Sequence, residues 1–72
     1  MKVTVKIRFD ATQEKIEKFS PANYLMYLPF PENEQTGRLI IHLLSRTLGV
    51  PPNRLVYSGK DSSQNFVFEV LA

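Results

Sequence analysis

Cysteine and tryptophan are both absent from the 72 residues, histidine occurs once, and glycine only three times. Without cysteine there can be no disulfide, no thiolate nucleophile and no cysteine-based zinc site. The single histidine, His42, cannot form a metal site without several well-placed carboxylates, so neither a metal nor a cofactor is expected. No apolar run approaches the ~18 residues that a membrane span requires. The opening MKVTVKIRF alternates apolar with polar and lacks the apolar block of a signal peptide. A soluble, cytoplasmic protein with no membrane partner is therefore expected. A strong excess of one charge is missing too. Nine Lys and Arg stand against seven Asp and Glu, for a net charge of +2. The charges are scattered, which falls short of the clustered basic surface of a dedicated nucleic-acid binder.

Residues 1–72 are enough for one small domain. A chain this short buries only ~60% of the surface it exposes when unfolded, and such a core supplies ~3–5 kcal/mol. Apolar packing must carry the stability, with self-association as a possible supplement.

Val3, Val5, Ile7 and Phe9 alternate with Lys2, Thr4, Lys6, Arg8 and Asp10, the period-two pattern of a strand with one wet face. ATQEKIEKFSPAN reads as a connection with a short extended piece around Ile16. YLMYLPF is a second strand, apolar on both faces. Two prolines stop it, and Asn33 is placed to cap a helix with Glu34 in the first turn. Leu39, Ile40, Leu43, Leu44, Thr47 and Leu48 then form one apolar stripe, with Arg38, His42, Ser45 and Arg46 opposite. Gly49 followed by Val-Pro-Pro ends the helix. RLVYS and NFVFEVL are two further strands. The order β-β-α-β-β predicts an α+β fold, a two-layer domain with a four-stranded, mainly antiparallel sheet under one amphipathic helix.

The turn YSGKDSSQNF resembles a phosphate loop without satisfying one. A P-loop needs a glycine five residues before its Gly-Lys, and that position holds Arg54. Lys60 is followed by Asp61 where a hydroxyl is required. A strand follows where a P-loop needs a helix N-terminus. The composition fits a β-hairpin turn.

From Pro31 to Val70 the chain resembles the YggU-like family of small conserved proteins of unknown function. Pro31 matches a strand-ending proline, Leu48-Gly49-Val50-Pro51 the helix end, and Ser58-Gly59 with Ser62 a hairpin turn. The resemblance implies strand order 1-2-4-3. It also implies a site where the helix N-terminus (Gln35, Thr36, Gly37) meets the turn (Gly59, Lys60, Ser62, Ser63, Asn65). Family members gather basic residues there. This chain has Glu32 and Glu34 with Lys60 alone, so phosphate attraction should be weak or absent.

Lys2, Lys6 and Arg8 are expected on the open sheet face beside Tyr24 and Met26, with Leu25 and Tyr27 turned inward. Tyr24, Met26, Leu28 and Val67 would then make an apolar strip for an unknown protein partner or a second copy. That is the leading expectation. The alternative is weak, salt-dependent RNA or DNA binding by Lys2, Lys6, Arg8 and Tyr24. No nucleophile is oriented and no carboxylate pair is sequestered, so an enzyme is not expected.

Overall fold

In the computed structural model, which describes residues 1–71, the alternating N-terminal run forms β1 (Lys2–Arg8). Val3 and Val5 are fully buried, while Lys2, Lys6 and Arg8 are exposed. The stretch expected to be a connection contains a further strand, β2 (Lys15–Ser20). Lys15 and Glu17 share one face and Ile16 takes the other, but a register shift between Lys18 and Ser20 breaks the alternation and leaves Phe19 in solvent. That bulge is why period two is hard to see there. β3 (Asn23–Tyr27) follows as the return arm of a hairpin.

β3 does not lie outside β2. It inserts between β1 and β2 and runs parallel to β1, giving a five-stranded mixed sheet in the order β2-β3-β1-β5-β4. The four-stranded, mainly antiparallel sheet in the order 1-2-4-3 is corrected accordingly. The extra strand reverses the chain once more than expected, so the two strands at the sheet centre arrive parallel. The α+β class with a single α-helix on a sheet holds.

Helix α1 (Thr36–Leu48) starts later than an Asn33 cap implies. Asn33 instead closes a turn ahead of it. Its Oδ1 accepts the Gln35 amide at 2.7 Å, and its own amide donates to Thr36 Oγ1 at 2.8 Å. Thr36, Ile40, Leu43 and Leu44 are buried, with Leu39 and Leu48 half-buried beside them. Thr47, expected in the stripe, is exposed, and its hydroxyl bonds back to the Leu43 carbonyl at 2.9 Å. Gly49 ends the helix at φ 73°, a left-handed conformation that costs a side chain dearly and glycine nothing. A 3₁₀ turn (Pro52–Arg54) leads into β4 (Leu55–Lys60), which forms a hairpin with β5 (Phe66–Val70).

The core lies between α1 and one sheet face. Val3, Val5, Tyr24, Met26, Leu28, Leu55, Phe66 and Phe68 meet Ile40, Leu43 and Leu44 there. Tyr57 closes it at the β4 edge. Its ring centroid is 5.2 Å from that of Phe68 and 5.6 Å from that of Phe66. It approaches the helix where Gly37 has no side chain, 3.5 Å from the place a Cβ would take.

Candidate nucleic-acid interface

The register of β1 with β3 decides which residues share the open face. Val5 stands beside Tyr24 and Ile7 beside Met26, so those four face the helix. Lys6 stands beside Leu25 and Arg8 beside Tyr27. The expected placement is therefore inverted. Tyr24, Met26 and Leu28 are 3%, 0% and 0% exposed and belong to the core. Of the apolar strip foreseen for a protein partner, only Val67 lies on the open face, and it is 8% exposed. Lys2, Lys6 and Arg8 are on that face as expected.

What the open face offers instead is an ordered set of rows. One row is Arg8–Tyr27–Lys15, across β1, β3 and β2. The next is Lys6–Leu25–Glu17, and further along β1 lie Thr4 beside Val67 and Lys2 beside Glu69. Tyr27 is half-buried between its two cationic neighbours, with Lys15 Nζ 6.0 Å from its ring centroid. Lys15 is also 3.1 Å from Glu17 Oε1. That hydrogen bond, followed by the Glu17 charge, raises the Lys15 pKa above its ordinary value. Glu69 sits 3.6 Å from the N-terminal ammonium. Among the described residues, Lys2, Lys6 and Arg8 have no ion-pair partner. The face thus carries three cations without ion-pair partners along β1, of which Arg8 stands beside the Tyr27 ring. Leu25 and Tyr27 were expected to turn inward because YLMYL is apolar at both parities, and Lys15 was not singled out because only a short extended piece around Ile16 was read there. The alternation of Lys15, Ile16 and Glu17 was the available signal.

The helix start and the hairpin turn lie near one another, although by a different route from the expected strand order. β3 and β5 are antiparallel with β1 between them, so the start of α1 and the β4–β5 turn meet at one end of the sheet. Lys60 Nζ bonds Glu32 Oε2 at 2.7 Å and lies 4.9 Å from the Phe66 ring centroid. Its charge is therefore already matched. Asp61 organises the turn. Its Oδ1 accepts the Ser63 and Asn65 amides at 2.9 and 3.0 Å, and its Oδ2 the Asn65 side-chain amide at 3.3 Å. The Asn65 amide is the largest influence holding the Asp61 carboxyl below its usual pKa, with Ser63 and the charge of Lys2 adding to it. Ser62, Ser63 and Asn65 thus belong to a hairpin turn. Gln35, Thr36 and Gly37 border an open groove of about 590 Å³ between the start of α1 and β4, with Arg38, Ile41 and Tyr57 on its walls.

Among the described residues no group of three or more His, Cys, Asp or Glu side chains is placed to hold a metal ion. Nor, among the described residues, is any helix long and apolar enough to cross a membrane. No family model, curated protein or solved structure matches the chain.

Proposed function

We propose that this is a non-enzymatic binding domain whose open sheet face takes single-stranded nucleic acid, weakly and in a salt-dependent way. The Arg8–Tyr27–Lys15 row carries the proposal. A base stacked on an accessible tyrosine contributes ~1–3 kcal/mol whatever its identity. Cations on either side of the ring stand where the adjoining phosphates would run, and Lys6 and Lys2 continue that line along β1. With the backbone ladder filling the sheet interior, the side chains are free to adapt to an irregular strand. Three or so neutralised phosphates give log K falling with log salt at a slope of about −2. The binding is therefore weak at moderate ionic strength.

The proposal includes membership of the YggU-like family, supported by Pro31, Leu48-Gly49-Val50-Pro51 and Ser58-Gly59. The observed order β2-β3-β1-β5-β4 departs from the 1-2-4-3 that the resemblance implies, so a family member found with the order 1-2-4-3 would remove this chain from it.

An amide NMR titration with mixed short single-stranded RNA, at low and moderate salt, tests the binding. Saturable shifts at Lys6, Arg8, Lys15, Leu25 and Tyr27 are expected, weakened by salt. Tyr27→Ala should weaken the affinity ~10-fold or more. An unshifted spectrum at low salt would overturn the reading. Shifts confined to Gln35–Gly37 and Lys60–Asn65 would move the site to the groove.

A further inference from the structure

The two edges of the sheet are built differently. β2 closes one edge with Lys15, Glu17 and Lys18 and a bulge, the devices that keep edge strands from pairing with other chains. β4 closes the other, and from Leu55 to Gly59 it carries no charge. Val56 and Tyr57 are 45% and 39% exposed on it.

The main-chain groups of that edge are specific. The Arg54 carbonyl accepts the Leu71 amide at 2.8 Å. The alternation of an antiparallel ladder therefore turns Val56 towards β5, and Leu55 and Tyr57 outward. The Leu55 amide is taken by the Pro52 carbonyl. This leaves the Leu55 carbonyl and both groups of Tyr57 facing away from the sheet. A register shift between Tyr57 and Gly59 confines the usable ladder to this short stretch.

Charge describes the missing strand. Arg54 stands at the start of β4, and Arg38 stands across the groove on α1. Neither has an ion-pair partner among the described residues, whereas Lys60 is held by Glu32. Of the two carboxylates that line the groove, Glu32 is held by Lys60 and Glu34 has no ion-pair partner among the described residues. Ile41, Tyr57 and Phe66 are the apolar side chains in the lining of that groove. We infer that the outer edge of β4 accepts an extended peptide strand with a small apolar centre and carboxylates on both flanks. Three main-chain hydrogen bonds to Leu55 and Tyr57 would hold the strand, one centre side chain would enter the groove, and the flanks would meet Arg54 and Arg38. This is binding by strand addition, in which the backbone supplies affinity and the side chains specificity. It lies on a different surface from the Tyr27 row and does not depend on it.

The probe is a blocked pentapeptide, acetyl-Glu-Thr-Val-Thr-Glu-amide, titrated into the labelled protein. Shifts at Leu55–Ser58 and slowed exchange of the Tyr57 amide are expected. The Lys-flanked analogue should bind ~10-fold more weakly, and the analogue N-methylated at every internal amide should not bind. Arg38→Glu with Arg54→Glu, two exposed positions, should reverse the preference between the two flanks. Equal binding of the N-methylated peptide would overturn strand addition. Indifference to flank charge would overturn the acidic partner. Protection of the Tyr57 amide that rises with protein concentration alone would assign the edge to a second copy. Shifts by the peptide at Arg8 and Tyr27 instead would place it on the open face.

Discussion

Tyr24 and Tyr27 lie three residues apart on β3 and face opposite ways, one 3% exposed beneath α1 and the other half-buried among cations. Nothing in YLMYL decides between the two parities, because Leu25 and Met26 are equally apolar. The decision comes from outside the strand. β1 has one apolar parity only, and the pairing of Val5 with Tyr24 hands that parity across to β3. Residue-level burial was therefore legible in β1, where Val3 and Val5 alternate with charge, and illegible in β3. A substitution pair exposes the assignment. Met26→Ala empties a fully buried position and is expected to cost ~2–5 kcal/mol, close to the ~5 kcal/mol that a domain this small holds in total. Tyr27→Ala should leave most of that stability in place. Urea unfolding of the two variants measures the difference, and equal losses would show that both side chains pack in the core.

Among the elements, the β4–β5 hairpin turn is the one whose chemistry the sequence spelled out. Gly59 at φ 102° and Gln64 at φ 67° supply its left-handed positions, and Asp61 ties Ser63 and Asn65 to one carboxylate. Those bonds favour the ionised form, so the folded pKa of Asp61 lies below its ordinary value of 3.8. A depressed carboxylate contributes stability that is present above the unfolded value and is lost as pH falls through the folded one. Acidification below that ordinary value should thus loosen the turn first, seen as lower protection of the Ser63 and Asn65 amides relative to their intrinsic exchange rates. Asp61→Asn should make that protection insensitive to pH in the same window. An unchanged pH response in the variant would mean that another group governs the turn. The helix was equally readable, because a leucine stripe and Gly49-Val-Pro-Pro act locally. β2 was not, since a bulge erased its period and its partners lie on one side only. The start of α1 slipped for a related reason. Asn33 is a good cap by type, but its side chain is spent on the turn before the helix.

At the scale of the molecule, the sheet joins distant parts of the chain. β1 pairs with β5 across nearly the whole sequence, and the N-terminal ammonium bonds the Val70 carbonyl at 3.0 Å. Strand order of this kind is absent from any local window, which explains why the α+β class could be read and the topology could not. Since β5 bridges β1 and β4 and supplies the buried Phe66 and Phe68, a chain ended after Asn65 is expected to lose amide dispersion altogether. A dispersed spectrum from that truncated chain would show that the other strands suffice. The arrangement has a further consequence during synthesis. β1 leaves the ribosome before both of its neighbours, and at ~5–20 residues per second it waits for seconds until β5 emerges to pair with it. Through that interval Val3, Val5 and Ile7 are exposed beside Lys2, Lys6 and Arg8. Interleaved charge of this sort discourages aggregation, so the cations proposed to meet phosphate would also protect the nascent chain before the face they line exists.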